Sequence, residues 1–231
     1  GLAAETAFVY APGDATGPLA NVPLATLRTL PPAGAVRPLR AWVRGDAGIG
    51  WAPQYWVRDA FAAFAATQPP DAVLLLGDNA YFTGTDLEYQ NGLFDVYGAT
   101  LRTTPTWSTL GNHDAASASS ATGTGVYYDA FVLPANGEAG GLPSGTEAYY
   151  SSDVAHVHFV CLDSEGTDRS TNGAMARWLK TDLDSTKQDW IIAFFHHPAY
   201  SKGSHDSDNP KDSGGRLTDM RQNLLPILEE G

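Results

Sequence analysis

The sequence predicts an α/β fold in which a parallel sheet is followed by a second or mixed sheet. Between residues 39 and 110, short apolar segments alternate with segments of helical periodicity, which is typical of parallel strands joined by crossover helices. After residue 147, two apolar segments flank a short turn, which indicates an antiparallel hairpin. Polar residues follow several apolar segments, at the strand ends where open α/β sheets bind ligands.

Composition limits the possible partners. The chain has 231 residues, of which 43% are hydrophobic and 17% charged, so it can form a globular domain with one sizeable core. Its formal net charge of −12 argues against nucleic acid as a partner, because nonspecific nucleic-acid binding needs a basic surface. The charge does not exclude a small phosphate ester, since bound cations would dominate the local field.

The single cysteine, Cys161, lies in an apolar segment, so an intrachain disulfide is excluded and a core position is expected. This cysteine content fits a cytosolic protein and also a secreted protein without disulfides. No apolar run reaches roughly 18 residues, so no membrane span is predicted. Residue 1 is neither an initiator Met nor the start of a signal peptide, and we expect a processed chain or part of a longer one.

Residues 1–37 differ from the rest because proline and glycine interrupt them at short intervals. Segment 23–30 alternates apolar and polar residues and is predicted to form a strand. We interpret residues 1–37 as the end of a β-rich module with its linker, and residues 38–231 as the main domain.

The parallel sheet is predicted from the apolar segments 39–44, 72–76 and 106–110, with helices at 53–67 and 86–97 between them. Right-handed crossovers are expected for such connections. Helical periodicity places a set of apolar side chains inward on each helix. This set comprises Trp56, Ala60, Phe61, Phe64 and Ala65 on the first helix, and Leu87, Phe94 and Tyr97 on the second.

The second half is predicted to begin with a rim loop at 115–125, which is rich in small polar residues and typical of a surface loop. Segments 148–152 and 156–162 form the predicted hairpin. A helix at 173–183 would bury Met175, Trp178, Leu179 and Leu183. A buried strand at 190–195 and a helix at 217–230, disturbed by Pro226, complete the prediction.

Four of these strands end in side chains that can bind metal ions. Carboxylate, amide, imidazole and phenol groups together suit Fe, Mn, Zn or Ni better than Ca or Mg. Two cations about 3.5–4 Å apart can clamp a phosphoryl group and activate a water. The residues are Asp46 after the first strand, Asp78 and Tyr81 after the second, Asn112 and His113 after the third, and His196 after the fourth.

These residues lie in segments that resemble motifs of the calcineurin-like metallophosphoesterases. The segments are Gly45-Asp46-Ala47-Gly48, Gly77-Asp78-Asn79-Ala80-Tyr81, Gly111-Asn112-His113-Asp114 and Phe195-His196-His197-Pro198. They resemble the first four of the family's five motifs, over a stretch from about Leu39 to the end. Most members have Asp-x-His in the first motif. Gly48 in place of that histidine, together with Tyr81, resembles the purple acid phosphatase branch.

The resemblance implies a four-layer sandwich of two mixed β-sheets flanked by helices, preceded by the tail of a β-rich module. Residues 1–37 would be the remnant of a fibronectin-like module with its linker, and residues 38–231 a catalytic domain that is incomplete at its C-terminal end. The fifth motif, Gly-His-x-His, is absent, since no histidine follows His205. We expect a longer precursor that supplies it, or a strand from another chain, so the remainder of the precursor is one expected partner.

The resemblance also implies two metal ions. Asp46 and Tyr81 would bind the first, Fe(III), and Asp78 would bridge to the second. Asn112 and His196 would bind that second ion, which would be Fe(II), Zn or Mn. Asp114 is assigned no metal.

The same resemblance implies roles for three histidines. His113 would contact the substrate and protonate the leaving group after attack by a metal-bound hydroxide. His197 would contact the substrate or support a neighbouring ligand. His205 would contact the substrate phosphate, with a solvated loop histidine as the alternative.

The implied activity is that of an acid phosphatase on small phosphate monoesters, secreted, extracellular or periplasmic. The same scaffold also suits phosphodiesters, nucleotides or phospholipids. If the last metal ligands are truly absent, the alternative is a decayed site or a non-catalytic binding or structural module.

His156 and His158 share a strand face and mimic a metal pair, but they fall on no motif and are expected to form structural hydrogen bonds. An acidic loop at 206–212 is expected to be solvated rather than a Ca site.

Overall fold

The computed structural model describes residues 2–19 and 22–230. The N-terminal part forms two small antiparallel ladders. Strand β1 (Ala7–Tyr10) pairs with β4 (Ala25–Arg28), and β2 (Gly13–Asp14) pairs with β3 (Gly17–Pro18). The strand predicted within 23–30 is therefore present. The boundary between two domains at residue 37 stays a prediction.

The first sheet is parallel, as predicted. It consists of β5 (Ala41–Arg44), β6 (Ala72–Leu75) and β7 (Thr106–Ser108), in that order. Helix α1 (Ala52–Ala65) connects β5 to β6. Between β6 and β7 the chain is helical from 86 to 101, as α2 (Asp86–Tyr89), a π-helical turn (Gln90–Phe94) and α3 (Asp95–Leu101).

The second sheet is mixed. Strand β10 (Tyr150–Val154) pairs antiparallel with β11 (Val157–Cys161), which pairs parallel with β12 (Trp190–Phe194). The predicted hairpin and helix are confirmed, the helix being α5 (Ala174–Ser185). A short hairpin of β8 (Ala118–Ser119) and β9 (Thr124–Gly125) and the helix α4 (Val126–Ala130) precede this sheet.

The last segment is helical. A 3₁₀ turn (Asp212–Gly215) leads into α6 (Arg216–Asp219), a π-helical turn (Met220–Leu224) and α7 (Leu225–Glu230). Pro226 closely follows the π-helical turn of this continuous helical segment, so the predicted disturbance by proline coincides with a local irregularity of the helix.

The two sheets and their helices form four layers, which confirms the fold class. The sheets face each other through Trp107 and Phe159, whose ring centroids lie 6.3 Å apart. The Tyr150 hydroxyl also crosses this interface and donates to the Ser108 carbonyl at 2.7 Å. Trp42 of the first sheet stacks on Phe61 of α1 at 3.6 Å. On the far side of the second sheet, a second core joins the sheet to α5, the last π-helical turn and α7.

The predicted inward face of the first helix is right for Phe61 but wrong for Trp56, Ala60 and Phe64. Trp56 and Phe64 are 68% and 69% exposed, whereas Phe61 packs against the sheet. The buried residue of the helix is Gln54, whose side chain accepts from Gly50 N and donates to Gly92 O, both at 2.6 Å. Apolar residues lie all round this helix, so hydrophobicity alone could not select its buried face.

Two further burial predictions are wrong in part. In the helical segment 86–101, Tyr97 is buried as predicted, but Leu87 and Phe94 are exposed. Strand β12 lies at an edge of its sheet, so Trp190, which is 63% exposed, contributes little to the core.

Cys161 is buried, as predicted. No described helix is long and apolar enough to cross a membrane.

His158 is held between two carboxylates inside the second sheet. Its Nδ1 lies 2.7 Å from Asp153 Oδ1 and its Nε2 lies 2.8 Å from Asp182 Oδ2. The imidazole is almost fully buried, as is Asp182. This confirms the expected structural role, and a ring with a carboxylate at each nitrogen is best satisfied as imidazolium.

This arrangement makes stability depend on pH. Burial alone would lower the pKa of His158, but the hydrogen bonds and charges of Asp182 and Asp153 outweigh it and raise the pKa above 6.5. A raised folded-state pKa contributes stability that is fully present below about pH 6.5 and lost as pH rises through the folded value. We expect the urea midpoint to fall between pH 6 and pH 9, and His158→Asn to lack this component. His156→Asn is the matched control, and equal pH slopes in all three proteins would contradict the assignment.

Candidate metal centre

The ends of four strands meet at one pocket of about 300 Å³. It lies at the carboxyl ends of β5, β6, β7 and β12, so it joins the edges of the two sheets. The structure therefore brings the predicted metal-binding residues together. The pocket is lined by Asp46, Asp78, Tyr81, Asn112, His113 and His196, and also by His197, Ser201, Ser204 and His205.

Three acidic groups converge on one side of this pocket. The Tyr81 hydroxyl lies 2.8 Å from Asp78 Oδ2 and 3.1 Å from Asp46 Oδ1. Burial and these two carboxylates raise the pKa of Tyr81 well above its ordinary value. A bound cation would offset the repulsion between these oxygens and favour the phenolate. The donor set therefore fits a cation at this position.

A second group of donors lies beside the first. His196 Nδ1 donates to the Leu76 carbonyl at 2.9 Å, which leaves the Nε2 lone pair directed into the pocket. This Nε2 lies 3.0 Å from Asn112 Oδ1 and 3.5 Å from Asp78 Oδ1. One donor atom from each of Asp46, Asp78 and His196 lies within 4.8 Å of the others. The group fits a second cation that shares Asp78 with the first.

The backbone at both aspartates adopts an uncommon conformation. Asp46 and Asp78 have φ values of +54° and +52°, in the left-handed region. Such strain occurs where surrounding structure fixes a functional residue. Gly77 precedes Asp78 with φ of +86°, and a Cβ on it would lie 2.8 Å from His196 Nδ1. Glycine is therefore needed here for the turn and for the approach of β12.

Gly48 explains why the first motif has no histidine. A Cβ at this position would lie 2.1 Å from the Asn79 carbonyl oxygen, so no larger residue fits this backbone. The Gly48 carbonyl accepts from Tyr81 N at 3.1 Å. Two contacts thus join residue 48 to the loop after β6: the approach of Asn79 O excludes a side chain, and the bond to Tyr81 N fixes the backbone of the residue that supplies the phenol.

Asp114 is a site residue whose role the sequence did not reveal. Its carboxylate is fully buried, and burial raises its pKa. It accepts from Tyr89 OH at 2.7 Å, Gly111 N at 3.0 Å, and Asn79 N at 3.1 Å. Asp114 therefore fastens the loop after β6 to the loop after β7. Its place directly after His113 in the third motif was the available signal.

His113 lies at the mouth of the pocket. Its backbone N–H donates to Asp78 Oδ1 at 2.9 Å, and its ring Nδ1 donates to the Phe82 carbonyl at 2.7 Å. The ring centroid lies 4.4 Å from that of Tyr81. Because Nδ1 is occupied, Nε2 is the nitrogen available for proton exchange with a ligand; it lies 3.9 Å from Asp78 Oδ2.

The other two histidines lie at different depths. His197 is buried, and its Nδ1 lies 3.0 Å from the Ser164 hydroxyl. Burial, followed by the neighbouring His196, lowers the pKa of His197 to about 3, so its ring is neutral. The His205 side chain is 62% exposed and lies 2.9 Å from Asp212 Oδ1. Both line the pocket, and their contact with a substrate stays a prediction.

Similar proteins include several acid phosphatases. The chain is 27% identical to purple acid phosphatase 23 of Arabidopsis thaliana over 231 aligned residues, covering 88% of this chain and 48% of that protein. It is 29% identical to tartrate-resistant acid phosphatase type 5 of Sus scrofa, covering 82% of this chain and 60% of that protein. The chain thus spans about half to three fifths of the length of these relatives.

Comparison of structures gives the same result for the fold. A purple acid phosphatase from yellow lupin (Lupinus luteus) seeds superimposes with a TM-score of 0.62 at 14% identity, covering 89% of this chain and 38% of that one. The sequence profile of the calcineurin-like phosphoesterases matches residues 40–222. The matched residues include every residue of the pocket described above, and the chain belongs to the calcineurin-like phosphoesterase family.

Proposed function

We propose that the chain forms the catalytic part of a binuclear metallohydrolase that cleaves small phosphate monoesters, as an acid phosphatase does. The observation that carries this proposal is the convergence of five metal-binding side chains on one pocket, beside a histidine with an available Nε2. The residues are Asp46, Asp78, Tyr81, Asn112 and His196, with His113.

Two cations fit the proposal. Asp46 and Tyr81 would hold the first, proposed as Fe(III) because a phenolate is a strong donor to ferric iron. Asn112 and His196 would hold the second, proposed as Fe(II), Zn or Mn, and Asp78 would be shared. When bound, the pair supplies Lewis-acid activation of the phosphoryl group and of a water. Within this chain the first set contains only oxygen donors.

Residues of the chain itself orient the ester and supply the proton that its leaving group takes up. His113 Nε2 donates a proton to the leaving oxygen, while the bond from Nδ1 to Phe82 O keeps the ring aimed at the pocket. His205, at the rim, donates to a phosphoryl oxygen. His197 contacts the substrate or holds the segment that carries His196; its bond to Ser164 favours the second role.

Tyr81→Phe tests the phenolate. A phenolate bound to Fe(III) gives the visible charge-transfer band that we propose for the iron-loaded protein, and the variant is expected to lose it while its far-UV circular dichroism is unchanged. Tyr200→Phe is the control, because Tyr200 is exposed and absent from the pocket lining. Retention of the band in iron-loaded Tyr81→Phe would rule this residue out as a ligand.

His113→Ala tests the proton donor. General acid catalysis contributes roughly 10²–10⁴-fold and matters most for leaving groups of high pKa. We expect turnover of an alkyl phosphate to fall by about that factor, and turnover of p-nitrophenyl phosphate to fall much less. Equal losses with the two esters would count against a proton donated by His113.

Metal analysis combined with hydrolysis of p-nitrophenyl phosphate tests the function as a whole. About two metals per chain and turnover support the proposal. Preference for bis-p-nitrophenyl phosphate would favour a phosphodiesterase, and absence of both metal and turnover would favour a non-catalytic module. A location outside the cytoplasm is part of the proposal and is tested by fractionation of the source cells.

A further inference from the structure

The side chain of His205 is held by two residues further along the chain, Asp212 and Ser213. His205 Nδ1 contacts Asp212 Oδ1 at 2.9 Å and Ser213 Oγ at 3.4 Å. Asp212 Oδ2 in turn accepts from Asp206 N at 2.8 Å. Because His205 is largely exposed, no core packing fixes its ring. Its orientation depends on where Asp212 and Ser213 are placed.

The turn that places these two residues is uncommon. Ser213, Gly214 and Gly215 have consecutive φ values of +48°, +64° and +88°, all in the left-handed region. For a residue with a Cβ, this conformation costs roughly 1–2 kcal/mol. Of the three, only Ser213 carries a Cβ and bears this cost, while the two glycines adopt the conformation freely but do not hold it by themselves. The turn therefore needs an outside constraint if it is to persist as one conformation.

Arg216 supplies that constraint. Its Nη1 donates to the Ser213 carbonyl at 2.8 Å, and its Nη2 donates to Glu165 Oε1 at 2.6 Å. Its Nε also donates to the Glu165 carbonyl at 3.3 Å. One guanidinium therefore ties the left-handed turn to the residues that follow β11. A planar fork with several fixed donors can make these contacts together, whereas an ammonium group cannot.

Glu165 connects the same clamp to the metal pocket. Its Oε2 is buried, has no hydrogen-bond partner within the described residues, and lies 3.6 Å from His197 Nε2. The adjacent Ser164 hydroxyl accepts from His197 N at 2.9 Å and lies 3.0 Å from His197 Nδ1. The clamp thus fixes the His205 loop relative to the segment that carries the metal ligand His196.

We propose that the Arg216–Glu165 pair is a positioning device that holds His205 over the metal pocket, where it binds a phosphoryl oxygen of the substrate. This inference rests on the proposed phosphatase function and adds to it the residues that place the phosphate contact. Neither Arg216 nor Glu165 touches the substrate, and both act through His205.

The test is a double-mutant cycle between Arg216 and His205, with inorganic phosphate as the ligand. Loss of one charged hydrogen bond to phosphate weakens binding about tenfold. Arg216→Ala is expected to raise KM and the inhibition constant for phosphate by that factor, with kcat and metal content changed less than twofold. In a His205→Ala background, Arg216→Ala is expected to add nothing further, because non-additivity marks residues that act through one another.

Two further variants and an independent readout complete the test. Arg216→Lys should give an intermediate KM, and Glu165→Gln combined with Arg216→Gln removes the pair without leaving a buried charge. Amide hydrogen exchange of residues 201–215 should be faster in Arg216→Ala than in the parent. Arg177→Ala, an exposed arginine of α5, should match the parent.

Additive losses in the cycle, unchanged exchange in the loop, or loss of metal from Arg216→Ala would each overturn the positioning role. Absence of hydrolysis and of phosphate binding in the parent protein would instead overturn the proposed function, and with it this inference.

Discussion

Asp78→Ala is expected to abolish metal binding and to lower phosphatase turnover by roughly a thousandfold or more, since metal ions supply several kcal/mol of transition-state stabilisation. Asp78 lies near both donor sets, at 2.8 Å from the Tyr81 hydroxyl and 3.5 Å from His196 Nε2. Its removal therefore takes a ligand from both proposed cations.

The same substitution should leave the metal-free fold intact. Truncating Asp78 removes a carboxylate that lies beside Asp46, although the His113 N–H loses its acceptor at 2.9 Å. Metal content by mass spectrometry and turnover of p-nitrophenyl phosphate are the measurements. Asp86→Ala, at an exposed carboxylate eight residues later, is the matched control. Two metals retained in Asp78→Ala would contradict the shared-ligand role.

Asp114→Ala is expected to be the most destabilising substitution near the site. Its carboxylate accepts from four buried donors, which are Tyr89 OH, Gly111 N, Asn79 N and Asn79 Nδ2. Buried donors left without a partner cost about 1–3 kcal/mol each, and a total loss of about 3 kcal/mol corresponds to a fall in Tm of roughly 6–12 °C for a chain of this size.

The variant should also bind metal more weakly. Asp114 holds the loops that carry Asp78 and Asn112, and loss of such support typically costs 10–100-fold in metal affinity. Thermal unfolding without metal separates the effect on the fold from the effect on the site. Asp184→Ala, which removes an exposed carboxylate on α5, should change Tm by less than about 2 °C. A similarly small change in Asp114→Ala would show that the buried network is not needed.

Strand ends were the most predictable feature of this chain. The apolar segments before Asp46, Asp78, Asn112 and His196 have few alternatives to β structure, and parallel pairing then places their ends at one edge. The placement of the proposed metal ligands and of His113 follows from that geometry, whereas Ser201, Ser204 and His205 of the same pocket lie in the loop after β12. The hairpin of β10 and β11 was predictable for the same reason, because its turn lies between two apolar runs.

Helix faces and long-range clamps were less predictable. Apolar residues surround α1, so the sequence could not separate Phe61, which stacks on Trp42, from Trp56 and Phe64, which are exposed. The roles of Asp114, Glu165 and Arg216 depend on backbone donors and carbonyls in distant loops. Such contacts leave no periodic pattern in the sequence, so they become visible only when the loops are placed together.

Anomalous X-ray scattering from the metal-reconstituted protein tests the central claim most directly, because it locates each cation among its ligands. We expect two peaks about 3.5–4 Å apart, one beside Asp46 and Tyr81 and the other beside Asn112 and His196, with Asp78 between them. Absence of any peak in this pocket, or peaks bound by other residues, would contradict it.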